Sequence, residues 1–101
     1  MSSRARVSEG HIEVARRVKS IVHSIDPEAK VYIFGSAARG EATAMSDIDV
    51  MVVTGVVERK YEMMVKVYRS VEENVELHVV TEELLEKWYR RFIPAEELIE
   101  V

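Results

Sequence analysis

The sequence predicts an α/β (α+β) protein, a small mixed β-sheet backed by helices. Three observations carry that expectation. Apolar residues at Ile12, Val14, Ala15, Val18, Ile21, Val22 and Ile25 recur with a helical period of about 3.6 residues. Three short apolar runs, Lys30–Phe34, Asp47–Val53 and Val75–Val80, have the length and β-branched content of strands. A second amphipathic stretch, Glu58 to about Glu73, separates the last two runs. The order is then helix, strand, turn, strand, helix, strand, helix, and such a chain buries its apolar faces by laying helices on a sheet.

Each element has a local reason. Residues 1–7 are read as a frayed start, and Ser8 as the cap of a helix that Asp26-Pro27 ends, because the residue before proline is pushed out of the helical region. Gly35 stops the first strand, Ser36–Arg39 is expected to make one helical turn, and Gly40 is placed to close it in the left-handed conformation. The small polar stretch Glu41–Ser46 is read as loop, and Thr54-Gly55 as the exit of the second strand. Tyr61, Met64, Val65, Tyr68 and Val71 are expected along one face of the second long helix. In the third strand Val75, Leu77 and Val79 face one way, and Glu76, His78 and Val80 the other. Thr81 caps a last helix reaching about Arg90, with Glu82 and Glu83 at the positive end of its dipole. Pro94 breaks the pattern, and Ala95–Glu100 is expected to form a short turn.

The chain of 101 residues is read as one domain, 1–101. A net charge of −4 argues against non-specific nucleic-acid binding, which needs an excess of Lys and Arg, so nucleic acid is not expected as a direct ligand. There is no cysteine, which removes disulfides and thiolate metal sites. The most apolar stretch, Ile48–Val57, is interrupted by Asp49, Thr54 and Gly55, and no segment has the roughly 20 apolar residues of a membrane span. Met1–Arg6 carries charge with no apolar run after it, unlike a secretory signal. A cytoplasmic protein is the expectation.

Three pieces of sequence carry chemistry. Gly35-Ser36-Ala37-Ala38-Arg39-Gly40 follows a strand and opens a helical turn. Gly35 allows close backbone approach, the first N–H groups of the turn attract anions, and the Arg39 guanidinium suits phosphate. Alone, it is also an ordinary turn; it has neither the lysine of a Walker A loop nor a dinucleotide-binding glycine spacing. Ser46-Asp47-Ile48-Asp49 puts two carboxylates at i and i+2, on one face of a strand and about 7 Å apart along the backbone. The pair is either a solvated strand end or a site for a hard cation such as Mg²⁺ or Mn²⁺. Glu76 is the third piece: a solvent-facing strand residue, or, if its strand lies beside the second, a carboxylate converging on Asp47 and Asp49. Three acids next to an anion-binding turn make a two-metal phosphoryl-transfer site.

The combination Gly35-Ser36-x-x-x-Gly40 with Ser46-Asp47-x-Asp49 resembles the signature of the DNA polymerase beta-like nucleotidyltransferase superfamily. The short chain is similar to the minimal nucleotidyltransferases of bacteria and archaea, and the element order extends the likeness over roughly residues 8–90. The resemblance implies a nucleotidyltransferase-like fold and activity. It implies that Gly35 and Ser36 hold the triphosphate, with Arg39 and Ser46 as further nucleotide contacts. Asp47 and Asp49 would bind two divalent ions, Mg²⁺ or Mn²⁺, and Glu76 would complete the catalytic and metal site. Many relatives carry Asp at that third position; Glu is one methylene longer. The resemblance further implies ATP or another nucleoside triphosphate as substrate and a small helical HEPN-type protein as partner and acceptor. The two would form a toxin–antitoxin pair in which the partner is adenylylated.

His78 shares the face of Glu76 and is read as a packed or solvated histidine ahead of a contact to metal or phosphate. His11 and His23 are expected on a helix surface, Met63-Met64 as core filler, and Arg16-Arg17 as a solvated face. Trp88-Tyr89-Arg90-Arg91-Phe92 is the most aromatic and basic stretch, read as packing of the last helix or a partner contact before a base-stacking surface. Two other functions compete with transfer: a catalytically weak nucleotide-binding module that acts by complex formation, and a metal-dependent phosphohydrolase.

Overall fold

The computed structural model describes residues 7–41 and 47–101. Its elements are α1 (Glu9–His23), β1 (Lys30–Phe34), β2 (Ile48–Val53), α2 (Lys60–Ser70), β3 (Val75–Val80), a last helix α3 (residues 82–92) and a short β4 (Ile99–Glu100). Single 3₁₀ turns at Val57–Arg59 and Ala95–Glu97 precede α2 and β4.

Ser8 caps α1, its hydroxyl oxygen accepting from the His11 N–H at 3.1 Å, and Glu9 lies at the positive end of the helix dipole. The helix buries Ile12, Val14, Ala15, Val18 and Val22. Val7, expected in a frayed start, is buried in the same cluster. After α1, Asp26 accepts from the Glu28 N–H and from the Thr54 hydroxyl, and Thr54 in turn accepts from the Val56 N–H. The buried Thr54 is thus satisfied in both senses and ties the α1–β1 turn to the exit of β2.

The sheet order is β3-β2-β1-β4. β1 runs antiparallel to β2 and to β4, whereas β2 and β3 are parallel, joined by the crossover through α2. β2 lies inside the sheet, and Val50, Met51 and Val52 are fully buried. Burying each such side chain stabilises the fold by about 1.5–3 kcal/mol. One sheet face, with Val31, Ile33, Ile48, Val50, Val52, Val75 and Leu77, packs with α1 and with Met63 and Val67 of α2. The other face, with Tyr32, Met51, Val53 and Val80, packs with Leu85, Tyr89 and Ile93. Its far end carries Phe34, Asp49, Glu76 and His78.

The structure revises several expectations. β2 begins at Ile48, whose N–H donates to the Asn74 carbonyl at 2.8 Å, so Asp47 stands just ahead of the strand. α2 ends at Ser70 and is rotated from the expected face: Met63 and Val67 are buried, Tyr61, Val65 and Tyr68 are exposed, and of the expected residues Met64 and Val71 pack on the core. Apolar residues at 61, 63, 64, 65, 67, 68 and 71 draw two overlapping stripes, and the narrower side chains fit against the sheet. The Tyr68 hydroxyl has its own place, accepting from the Leu77 N–H of β3 at 3.1 Å. The last helix is longer than expected and mixed, with α-helical ends Glu82–Leu84 and Arg90–Phe92 around a π-helical stretch Leu85–Tyr89. Residues 99 and 100 pair with β1 as a strand. The expected loop Glu41–Ser46 lies outside the described residues apart from Glu41.

Candidate active site

The Gly-Ser turn leaves the end of β1. Gly35 adopts φ +71°, a left-handed conformation that favours glycine. Its carbonyl accepts from the N–H groups of Ala38 (3.1 Å) and Arg39 (3.3 Å), which makes a single helical turn. The turn closes on Gly40, at φ 72°, with a Gly40 N–H to Ala37 carbonyl bond of 3.2 Å and a Glu41 N–H to Ser36 carbonyl bond of 2.9 Å. These two bonds make a Schellman closure, the role expected of Gly40. Ala37 and Ala38 are buried and anchor the turn in the core.

Strand register brings the acids to this turn. Asp49 is paired with Phe34 on β1, one residue before Gly35, and with Glu76 on β3. Asp49 and Glu76 therefore lie side by side on one sheet face, the placement expected from the sequence. Asp49 also reaches the glycine: a Cβ built on Gly35 would lie 2.5 Å from Asp49 Oδ2. His78, two residues beyond Glu76 on the same face, points its Nε2 to within 3.5 Å of Asp49 Oδ1 and 3.8 Å of Glu76 Oε1. One ligand atom from each of Asp49, Glu76 and His78 falls within 4.8 Å of the others. The side chains are partly open, at 26% for Asp49, 58% for Glu76 and 27% for His78, so water and a ligand can reach them.

His78 was legible as a neighbour of Glu76, with a contact to metal or phosphate only as its second reading; the structure places it in the cluster. The signal was its i+2 spacing from Glu76; what the sequence lacked was the ring's direction. Phe34 sets that direction, packing edge-on against the imidazole with centroids 5.0 Å apart and planes at 70°. His78 Nε2 is buried and has no hydrogen-bond partner among the described residues. Leaving such a group unpaired costs about 1–3 kcal/mol, which a ligand at this point would offset.

Asp47 is exposed at the approach to β2 and is not one of the three converging residues. Ser46 lies outside the described residues. Arg39 is exposed and held by two glutamates, Nε to Glu41 Oε2 at 2.7 Å and Nη1 to Glu97 Oε1 at 3.2 Å. Hydrogen bonds to these carboxylates raise its pKa further, so the guanidinium stays charged. Trp88 and Phe92, read as packing of the last helix or a partner contact, do not pack and are exposed, while Leu85 is fully buried. Phe34, Leu84, Trp88, Tyr89, Phe92 and Ile93 line an apolar groove of about 530 Å³ that shares Phe34 with the acid cluster.

Residues 15–101 match the family model described as a nucleotidyltransferase domain. The chain belongs to that family. The nucleotidyltransferase is similar to a crystal structure of a proposed nucleotidyltransferase, with 27% identity and a TM-score of 0.67, covering 85% of this chain and 95% of the other. A second crystal structure, of a proposed nucleotidyltransferase from Sulfolobus solfataricus, has 25% identity and a TM-score of 0.48 over 92% of this chain and 86% of the other. No curated protein matches the sequence. The expected fold class is thereby shown, and with it the expected enzyme class. The family generally uses a divalent metal and a nucleoside triphosphate. The donor set of this nucleotidyltransferase fits such an ion: two carboxylates converge with an imidazole nitrogen that has no hydrogen-bond partner among the described residues. Among the described residues no helix is long and apolar enough to cross a membrane.

Proposed function

We propose that this nucleotidyltransferase transfers a nucleoside monophosphate, AMP from ATP, to a hydroxyl on a separate protein chain. The observation that carries the reading is the double contact of Asp49. Its carboxylate lies over Gly35 at the start of the Gly-Ser turn, and on the neighbouring strand Glu76 stands beside it on the same sheet face. A triphosphate held by Gly35 and Ser36 therefore meets the acids without further rearrangement of the sheet.

Bound Mg²⁺ or Mn²⁺, two ions by resemblance, supplies the positive charge that the phosphates need during displacement. Asp49 and Glu76 would hold it, with Asp47, which stands outside the converging residues, as a further ligand by resemblance. Ser36 and the backbone of the turn orient the triphosphate, Ser46 adds a hydroxyl, and Arg39 exchanges a glutamate for a phosphate oxygen. Glu76, the most open of the three clustered side chains, takes the proton of the acceptor hydroxyl. The acceptor oxygen then bonds to the α-phosphorus as the bond to the β-phosphate oxygen breaks, and pyrophosphate leaves. A HEPN-type partner of a toxin–antitoxin pair is the acceptor chain, in a cytoplasmic setting where ATP is at hand. The exposed Leu84, Trp88 and Phe92 next to Phe34 support a partner on this side of the molecule.

The test is an incubation with α-labelled ATP and Mg²⁺ or Mn²⁺, with and without a HEPN-type partner. Label on the partner that disappears with Asp49→Asn supports transfer. Free phosphate in place of labelled protein would make the chain a hydrolase, and a stable unlabelled complex would make it a binding module.

A further inference from the structure

We propose that His78 is itself a metal ligand, and that its nitrogen turns the Asp49–Glu76 site from Mg²⁺ toward Mn²⁺. The inference rests on the divalent-ion part of the proposed function and deepens it.

Separation is the first ground. Ligands about 2.1 Å from an octahedral ion lie about 3.0 Å apart when adjacent. His78 Nε2 stands 3.5 Å from Asp49 Oδ1 and 3.8 Å from Glu76 Oε1, so a small inward closure brings all three onto one ion. The second ground is the state of the nitrogen. A histidine that only packs turns Nε2 to water or to a hydrogen-bond acceptor, whereas here Nε2 is buried and unpartnered among the described residues. A cation between the two carboxylates gives it a partner and neutralises the acids in one step. The third ground is that the ring is held. Phe34 packs edge-on against the imidazole, with centroids 5.0 Å apart, so the nitrogen is aimed before an ion arrives. Coordination through Nε2 leaves the ring proton on Nδ1.

The donor chemistry sets the choice of ion. Mg²⁺ prefers oxygen ligands in near-ideal octahedra and keeps its water, while imidazole nitrogen suits the first-row transition ions. Among these, Mn²⁺ tolerates both carboxylate oxygen and nitrogen and keeps the octahedral geometry that a phosphate substrate needs. A site of two acids alone offers no such preference.

Electron spin-echo spectroscopy of Mn²⁺ bound to the untagged, metal-free full chain tests this without turnover. ¹⁴N modulation from a directly bound imidazole is expected in the native chain. It should vanish in His78→Gln and persist in His11→Gln/His23→Gln, which leaves His78 as the sole histidine of the three. Mn²⁺ affinity should fall about tenfold or more in His78→Gln, with Mg²⁺ affinity changing much less. Circular dichroism checks the fold of His78→Gln; if that variant does not fold, the sole-histidine chain decides alone. Mn²⁺ bound without ¹⁴N modulation, modulation that survives in His78→Gln, or Mg²⁺ that displaces Mn²⁺ at equal concentration overturns the inference. So does an absence of Mn²⁺ binding. The transfer reading fails separately, through unchanged labelling in Asp49→Asn.

Discussion

Oδ2 of Asp49 occupies the space that a side chain on Gly35 would need. A Cβ there would meet that oxygen at 2.5 Å and the carboxylate carbon at 3.3 Å. The glycine that shapes the turn and the acid that faces Glu76 are therefore one packed unit, although they belong to different strand ends.

Gly35→Ala should consequently damage the fold and the site together. The backbone at φ +71° is strained for alanine, which by itself costs about 1–3 kcal/mol, and the new methyl group must push Asp49 aside. Urea unfolding should show a lower midpoint, and a Mn²⁺ titration should show weaker binding. Gly10→Ala, in α1 where a Cβ meets nothing closer than 3.9 Å, is the control and should leave both unchanged or slightly improved. Equal behaviour of the two variants would mean that the Gly35–Asp49 contact has no consequence.

Asp49→Asn separates charge from packing. Without an ion, Asp49 and Glu76 are like charges side by side on neighbouring strands, and removing one relieves that repulsion. The metal-free variant should unfold at the same urea concentration as the native chain or a higher one. Activity should move the other way, by roughly a thousandfold, since several kcal/mol of transition-state charge stabilisation depend on the bound ion. Added Mn²⁺ should stabilise the native chain, by about 2.7 kcal/mol at a hundred times its Kd, and leave the variant where it was.

How much of this was legible follows from the kind of signal. Period and capping chemistry are local, so α1 with Ser8, the three main strands, and Gly40 at the end of its turn could be read directly. The facing of Glu76 came from alternation along β3, and its adjacency to Asp49 needed only that the two strands be neighbours. The rotation of α2 was not readable, because Tyr61, Val65 and Tyr68 draw as good a stripe as Met63 and Val67; sheet geometry decided between them. β4 is two residues long and gains its identity from pairing with Tyr32 and Ile33, which sequence alone does not reveal. His78 shows the same limit at the site. Its face was evident, but the contact with Phe34 that turns its Nε2 toward Asp49 crosses the sheet.

The last helix predicts a contrast between neighbouring residues. Leu85 is fully buried among Tyr32, Met51, Val53 and Val80, while Trp88 is 58% and Phe92 77% exposed. Leu85→Ala should destabilise the chain by about 2–5 kcal/mol, the range for a truncated core leucine. Trp88→Ala and Phe92→Ala, larger truncations in chemical terms, should stay within about 0.5 kcal/mol of the native chain. Urea denaturation of the three variants decides the matter. A large loss for Trp88→Ala would show that the groove it lines is closed in solution.

Tyr32 predicts a specific weakness at alkaline pH. Its ring is buried in β1 against α3, and its pKa is raised from the ordinary value of 10.0, first by burial and then by the negative charges of Glu100, Glu82 and Glu86, with Arg90 opposing. The folded state therefore holds the phenolic proton more tightly than the unfolded chain. The resulting stability is fully present below the unfolded pKa of about 10 and is lost as pH rises through the folded value, at no more than about 1.4 kcal/mol per pH unit. Tyr32→Phe has no proton to lose. Its unfolding free energy should run parallel to that of the native chain from neutral pH to about 10, and then exceed it increasingly as pH rises from there through the folded value. The other three tyrosines are common to both chains and drop out of the difference. Urea curves measured at half-unit steps across this range test the account. Two curves that remain parallel past pH ~11 would mean that the buried ring ionises as readily as a free one.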